Sequence, residues 1–442
     1  MPTSTQRSRR TPTRGPPASR PSSGCSSASP PPGSRCPVSE WRRTALGDVM
    51  ALDLETVDVR DSGQYPVVGV LNRGRGLLYR QPIAGTETQY KTLNLIRPGQ
   101  VVYSRLKAFE GAITVAPADL GDAFASQEFP TFSCGPALLP GYFRLLTTTP
   151  DLWDDLQNLS TGMGGRRERV KPADFLTLRI PLPPLAEQRR IVDVMAAVDA
   201  QIEALEAEVA AIATTLQRAR DTCVRAIEAP TLSDLLDRIE SGRSQVTDGD
   251  AWVPGAASIL KVSAVQHGKF QPHEAKFVAD AAGLPEIARV NVGDLLITRS
   301  NTPDRVGFAA VVDAVEPDTF MPDLVWRLVP KDSSLVRYLG HALASSEMRA
   351  RVTGAASGTS MSMRKINKRS LGELRLPLMD EAQRGDYTAL CDALSLTLAQ
   401  LDSQVRSARS LRSAVLSGLL SQQVEIPESY DVLLDDALEV SA

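Results

Sequence analysis

The 442-residue sequence lacks the segments that would place it in a membrane or an oxidising compartment. No apolar run reaches the roughly 18 residues of a membrane-spanning helix, and residues 1–37 lack the apolar centre of a secretory signal. The five cysteines are widely spaced and form no CxxC pair, which argues against a disulfide framework and a zinc knuckle. The three histidines have no ligand-like spacing. We therefore expect a cytoplasmic protein with reduced thiols and no metal site.

Motifs for nucleotide binding and catalysis are missing as well. The sequence contains no GxxxxGK[ST] phosphate loop, no GxGxxG turn and no GxSxG elbow. It also lacks the tetrapeptide of Asn or Asp, two prolines and an aromatic residue that amino-methyltransferases place around a flipped base. These absences predict a chain that catalyses nothing alone and holds no cofactor of its own.

Charge is unevenly distributed along the chain. The net charge is −3, but residues 1–37 hold six arginines and no acidic residue, which leaves −9 on the remainder. This arm is rich in Arg, Pro and Ser and has almost no large apolar groups, so we predict that it is disordered and that translation begins at Val38. An arginine-rich arm could touch DNA phosphates. If the rest of the chain binds DNA, its basic groups must be gathered on one face.

One stretch, residues 183–229, predicts a long helix because it contains no glycine or proline after Pro184. Its apolar residues alternate in steps of four and three, which is the 3.5-residue period of a coiled-coil seam. At 1.5 Å per residue the helix would span about 65 Å and would need a partner along its length. The seam residues are Ile191, Met195, Val198, Ile202, Leu205, Val209, Ile212 and Leu216.

The partner is predicted within the same chain. Moving 196 positions from each seam residue gives seven further residues that suit a seam and then Arg412, whose place Leu411 could cover. This is an internal duplication, and it predicts a second spacer helix over residues 380–422. The start of that helix could slip by a turn because Gly385 lies in its first turns. Its expected seam residues are Leu394, Leu398, Leu401, Val405 and Val415.

The duplication extends to the segments before each helix. Residues 38–182 and 230–379 both mix short β-type stretches with turns, and the strand ending at Arg105 recurs as the strand ending at Arg299. One helical patch, residues 141–159, interrupts the first copy. The predicted fold class is α+β, with two mixed domains joined by two long antiparallel helices in pseudo-two-fold symmetry. Residues 423–442 are acidic and predict a solvated tail.

Basic and small polar residues meet in loops at equivalent places of the two copies. Arginine can grip guanine and asparagine adenine, while hydroxyl groups bind phosphate, so these loops predict a DNA interface. A solvated turn is the commoner explanation of any one loop taken alone, but the recurrence at equivalent places in the two copies favours function. The candidates in the first copy are Arg73, Arg75, Arg105, Lys107, Thr161, Arg166 and Arg167, and those in the second are Arg299, Asn301, Arg305, Thr359, Arg364 and Lys365.

With these residues in view, the chain resembles the specificity subunits of type I restriction–modification systems. The resemblance rests on the run Ile180-Pro181-Leu182-Pro183-Pro184-Leu185-Ala186-Glu187-Gln188-Arg189-Arg190-Ile191, on the Thr161-Gly162 and Ser357-Gly358-Thr359 loops, and on the two strands that end in arginine. It implies two target recognition domains that each read half of a split DNA site, and two helices that fix the gap. It also implies partners: two methyltransferase subunits and the translocating endonuclease subunits, which would carry S-adenosylmethionine, ATP and Mg²⁺.

Two other functions remain open from the sequence. The same fold could serve a type II-like enzyme whose partner fuses methyltransferase and nuclease. The net charge of −9 outside the arm would also suit a coiled-coil scaffold that binds only protein.

Overall fold

The structure is a computed structural model, and it describes residues 41–160, 169–225, 229–245, 256–279, 281, 283–358 and 363–432. The predicted disordered arm and the proposed start at Val38 lie outside these residues. The first domain begins with the first strand and ends with a strand that follows its third short helix. Its strands are β1 (Arg42–Ala45), β2 (Met50–Leu52), β3 (Glu55–Asp58), β4 (Gln64–Tyr65), β5 (Val68–Val70), β6 (Leu77–Tyr79), β7 (Ile83–Ala84), β8 (Thr92–Leu95), β9 (Val101–Tyr103), β10 (Ile113–Val115), β11 (Phe124–Ala125), β12 (Thr131–Cys134) and β13 (Arg179–Leu182). Its helices are α1 (Pro140–Leu146), α2 (Pro150–Leu159) and α3 (Pro172–Phe175).

A four-stranded antiparallel sheet in the order β2-β12-β9-β10 forms the centre of the first domain. Strand β9 is apolar at every position and fully buried, as expected of a strand covered on both faces. Tyr103 on β9, Phe132 on β12 and Phe175 on α3 pack their rings 4.8–5.9 Å apart. The hydroxyl of Tyr103 donates to the carbonyl of Val170, so the aromatic core also fixes the chain that follows residue 169.

The helical patch predicted over residues 141–159 is two helices rather than one. Helix α1 ends at Leu146, and α2 begins at Pro150 after the three threonines 147–149. Proline lacks the amide donor that a continuous helix would need and suits the first position of a new one. The prediction of a single helix was therefore wrong at this position.

The second domain repeats this plan. Its strands are β14 (Leu236–Ser241), β15 (Ser258–Leu260), β16 (Val265–Gln266), β17 (Lys269–Phe270), β18 (Ala275–Phe277), β19 (Leu295–Thr298), β20 (Ser300–Asn301), β21 (Ala309–Val311), β22 (Thr319–Phe320), β23 (Val325–Pro330) and β24 (Arg364–Lys365). Helix α4 (Leu185–Asp221) joins the domains; the second domain holds α5 (Leu232–Leu235), α6 (Leu335–Leu343), α7 (Ser346–Ala355) and α8 (Lys368–Gly372), and α9 (Glu381–Leu420) follows it.

The central sheet of the second domain has the order β14-β23-β19-β21, which matches the first domain strand for strand. Individual contacts repeat too. The hydroxyl of Tyr142 donates to the carbonyl of Pro181 at 2.9 Å, and 196 positions later that of Tyr338 donates to Pro377 at 2.6 Å. The duplication predicted from the sequence is therefore present in the fold.

The two long helices, α4 and α9, run antiparallel and pack along their length. Arg409 near the end of α9 pairs with Glu206 in the middle of α4, and Tyr387 at the head of α9 donates to the carbonyl of Arg220 at the tail of α4. All predicted seam residues on both helices are buried or half-buried. The predicted fold class, two mixed domains joined by antiparallel coiled-coil helices, is confirmed.

Two details of the predicted helices need correction: the end of α4 and the residue at the eighth seam position of α9. Helix α4 ends at Asp221, short of residue 229, and a 3₁₀ turn (Thr222–Arg225) follows it. Leu411 does not cover the eighth seam position, because its side chain is 60% exposed. Arg412 occupies that position instead, where its guanidinium donates to both carboxylate oxygens of Asp199 on α4.

Helix α9 starts without slipping. It begins at Glu381, and the carboxylate of Asp380 accepts a hydrogen bond from the amide of Gln383 at 2.9 Å as an N-cap. A Cβ atom at Gly385 would meet open space, so this glycine reflects no close packing and does not stop the helix.

The described part of the acidic tail is exposed at most positions, but it is anchored on the protein at Ile426, Tyr430 and Asp431. Residues after α9 include a 3₁₀ helix (Glu428–Tyr430), and Asp431 forms a bidentate ion pair with Arg190 on α4. The charge of Arg190 gives the tail a partner that no local pattern reveals. Within the described ranges, no helix combines the length and the apolar character needed to cross a membrane.

Candidate nucleic-acid interface

The first long helix holds the first domain through its opening turn. Gln188 is fully buried, and its side-chain amide donates to the carbonyls of Ala137 and Pro183 at 2.9 Å while its oxygen accepts from the amide of Leu139 at 2.8 Å. Glu187 accepts from the indole of Trp41 at 3.1 Å. Glu187 and Gln188 therefore fix the first domain on the head of α4. We call their contacts the clamp.

Each domain packs on the head of one long helix and the tail of the other. The first domain's core includes Ile191 and Met195 from α4 with Leu416 and Leu419 from α9. The second domain's core reverses the arrangement, with Leu216 and Ala219 from α4 and Tyr387 and Cys391 from α9. The antiparallel helices thus place the two domains at opposite ends, each in an equivalent setting.

A basic groove in the first domain brings together two predicted residues. Arg75 and Lys107 line a depression of about 340 Å³ together with Asn72 and Ser104. Arg80, which the sequence analysis missed, lines it too. Alternation along β6 and its continuation could have found Arg80, because it lies two residues after the groove-lining Leu78 and so on the same face. We refer to this depression as the first-domain groove.

Arg73 and Arg105 are placed differently from their groove-lining neighbours. Arg73 has a left-handed backbone (φ 58°), and its guanidinium lies 5.7 Å from the ring centroid of Trp153. Arg105 is half-buried, and its carbonyl accepts a hydrogen bond from the amide of Val170 at 3.1 Å. These two arginines have packing roles beside the groove, and any contact with DNA stays a prediction.

In the second domain a two-stranded ribbon collects four of the predicted residues. Strand β20 pairs antiparallel with β24, so that Asn301 faces Arg364 and Ser300 faces Lys365. The stretch from Thr298 to Thr302 was predicted as a loop, but the pairing with residues more than 60 positions away makes part of it a strand. Arg299 directly precedes β20, and its carbonyl accepts from the amide of Ile366 at 3.0 Å.

Two basic side chains lie over the indole ring of Trp326 beside this ribbon. The guanidinium of Arg299 lies 5.6 Å from the ring centroid of Trp326, and the ammonium of Lys368 lies 5.8 Å from the same ring. Lys368 was missed by the sequence analysis, although it lies only three residues beyond the predicted Lys365. These cation–π contacts with Trp326 hold the two basic side chains next to β20 and β24.

The remaining candidates are exposed or undescribed. Arg305 is exposed in the turn after β20, where it lies 3.5 Å from the carboxylate of Asp304. Its place in the turn leaves it accessible to a large ligand. Four predicted residues lie outside the described part of the chain: Thr161, Arg166, Arg167 and Thr359.

Titratable groups away from the basic surfaces have structural settings. Burial, followed by the charges of Arg220 and Arg349, lowers the pKa of His267 to about 4, so this histidine is neutral at physiological pH. Burial raises the pKa of Cys391 to about 11, which makes its thiol unreactive. Among the described residues, no cluster of His, Cys, Asp and Glu has the arrangement of a metal site.

Comparison with known proteins shows which family the chain resembles. Residues 38–213 match the family model of the type I restriction modification DNA specificity domain. This part of the chain, which holds the first domain and most of α4, is similar to that family. A curated member, the EcoKI specificity subunit of Escherichia coli strain K12, is 23% identical over 219 residues. The match covers 46% of this chain and 47% of the relative, so the two align over about half of their lengths.

Solved structures share the fold of this chain along most of its length. A chain from a structure described as the basis of complex assembly and conformational transition of the type I restriction–modification system has a TM-score of 0.52 at 19% identity, covering 86% of this chain and 98% of its own. The type I specificity subunit of M. genitalium has a TM-score of 0.51 at 14% identity, with 87% and 97% covered. The likeness supports the two-domain, two-helix architecture.

Proposed function

We propose that this chain is the DNA-recognition subunit of a type I restriction–modification complex, that it reads a bipartite, asymmetric site, and that it directs adenine methylation or cleavage by its partners. One observation carries the proposal: two copies of the same domain, each presenting basic residues, sit at opposite ends of a rigid antiparallel helix pair. A duplicated chain imitates a two-fold dimer, and unlike halves read unlike sequences.

The basic residues of each domain suit DNA because they combine charge with directional hydrogen bonding. The first-domain groove offers Arg75, Arg80 and Lys107, and the second-domain ribbon offers Arg299, Asn301 and Arg364. Arginine and asparagine are the side chains that read guanine and adenine bidentately in the major groove. The clustering of these basic residues in two patches would let a chain with a net charge of −3 bind DNA.

The partners follow from the same proposal. Two methyltransferase subunits would dock on the helix region, and endonuclease subunits with translocase activity would join for cleavage. S-adenosylmethionine, ATP and Mg²⁺ would be bound by those subunits, and the complex would act on DNA in the cytoplasm. The role of this chain is to position the partners at one sequence.

The decisive experiment is to co-express the chain with the methyltransferase subunit encoded in the same locus and map modified adenines across the host genome. We expect a two-part motif with a fixed gap, because rigid helices hold the domains at one separation. A short continuous motif would refute bipartite recognition and favour an assembly of another type. No modification by an assembled complex would favour a protein-binding scaffold.

Variants separate the roles of the domains and the helices. Arg299→Ala should weaken recognition of one half-site only, whereas Arg369→Ala, which removes an exposed, ion-paired charge on α8 of the same domain, should change neither half-site. Leu205→Pro should abolish assembly, since proline in the middle of α4 costs about 3 kcal/mol and kinks the helix. Equal loss at both half-sites from Arg299→Ala would contradict this assignment.

A further inference from the structure

The chain reverses direction at the end of the second long helix. Gln422 has a left-handed backbone (φ 57°), its amide donates to the carbonyl of Leu419, and the amide of Gln423 donates to the carbonyl of Gly418 at 2.9 Å. This is the hydrogen-bond pattern of a Schellman motif. A Cβ atom at Gly418 would lie 2.9 Å from the side chain of Val424, so glycine at 418 permits the close return of the chain. We call residues 424–432 the strap.

The strap lies over the head of the first long helix. Ile426 packs against the core of the first domain. The hydroxyl of Tyr430 donates to the carboxylate of Asp193 at 2.5 Å, and both carboxylate oxygens of Asp431 accept from Arg190 at 2.7 Å. The hydrogen bond from Arg190 lowers the pKa of Asp431 below its ordinary value, so the pair is charged at neutral pH.

The two sides of this contact differ in accessibility. The side chain of Arg190 is only 10% exposed, while that of Asp431 is 42% exposed. The strap is therefore the solvated, peripheral partner in this contact. Because six of its nine residues are exposed, the strap can separate from the head of α4 without unfolding either domain, and its departure would uncover Arg190 and Asp193.

The strap covers one helix head and not its counterpart. The residues 196 positions beyond Arg190 and Asp193 are Asp386 and Ala389. Neither can repeat the contacts, because Asp386 carries the wrong charge for an acidic strap and Ala389 cannot accept a hydrogen bond from a hydroxyl group. The strap thus breaks the pseudo-two-fold symmetry at the head of α4.

We propose that the strap is an autoinhibitory contact that competes with a methyltransferase subunit for the head of the first long helix, so that the two methyltransferase positions fill unequally. The inference rests on the proposed function. A partner that docks on this face must first displace the strap, and its apparent affinity falls by the fraction of molecules in which the strap is released. The position near the head of α9 carries no such penalty.

The test is a titration of the full chain with the methyltransferase subunit, followed by native mass spectrometry to resolve the complexes with one and two methyltransferases. The double variant Tyr430→Phe and Asp431→Asn removes the polar contacts of the strap. Glu425→Gln is the matched control, because it removes one tail charge from an exposed residue at the start of the strap. A chain that ends after residue 423 removes the whole strap.

We expect the double variant and the shortened chain to bind the second methyltransferase about tenfold more tightly, with the first binding step unchanged and the control equal to wild type. Unchanged or weaker binding of the second methyltransferase in both forms would overturn the proposal, and weaker binding would make the strap part of the docking surface. If wild type and variants all fail to bind any methyltransferase, the proposed function itself falls.

Discussion

Replacing Gln188 by methionine tests whether the head of α4 is a clamp for the first domain. Methionine keeps the length and approximate volume of the side chain but offers no comparable hydrogen bond. The carbonyls of Ala137 and Pro183 and the amide of Leu139 would each lose a partner, but Ala137 is exposed and Leu139 is half-buried, so water can reach these two groups. An unsatisfied buried polar group costs about 1–3 kcal/mol, so the buried carbonyl of Pro183 should lower the free energy of unfolding by about that amount.

The effect should appear in the unfolding of the first domain. We expect scanning calorimetry to show its transition lowered by roughly 2–12 °C, since 1 kcal/mol shifts the midpoint by about 2–4 °C in a domain of this size. The second-domain transition should not move. Arg189→Ala is the control, because Arg189 is the exposed neighbour in the same run and should change stability by less than about 0.5 kcal/mol. A loss below about 1 kcal/mol in Gln188→Met would refute the clamp.

Three further predictions concern the helix seam, a tight turn and pH. Asp199→Ala should lower the free energy of unfolding, measured in urea, by about 1–2 kcal/mol, because it leaves Arg412 half-buried and unpaired. Arg412→Leu should leave that free energy unchanged or raise it. The opposite order would contradict a role of this pair in the helix seam. Gly74→Ala should lower the free energy of unfolding in urea by about 2 kcal/mol or more. Gly74 has a φ of 64°, and a Cβ atom there would lie 2.2 Å from the carbonyl oxygen of Thr147. Because the pKa of His267 is lowered from 6.5 to about 4, the unfolded chain binds more protons between these values, and stability should fall as the pH drops from 6.5 to 4. The decrease should be at most about 3 kcal/mol and should vanish in His267→Gln.

The large features of the fold could be predicted because they are local and repeated. The seam of α4 depends on the spacing of Ile191, Met195 and their successors, and a helix imposes that spacing wherever it forms. The recurrence of the pattern 196 residues later identified α9 and, with it, the pairing of the helices. The start of α9 was left open by one turn, because the proline run is lost in the second copy and Gly385 lies in the first turns; the N-cap at Asp380 fixes it in the structure.

The sequence by itself determined the duplicated plan and the two long helices, since each depends on neighbouring residues or on repetition. Tertiary structure alone decided which basic residues share a surface: Ser300 and Asn301 became a strand only by pairing with Lys365 and Arg364, and Arg80 joined Lys107 across a groove. It also decided that Arg190 would hold Asp431. Partners 63 to 241 positions apart meet only after the chain has packed, and no local period records which side chains that packing will bring together.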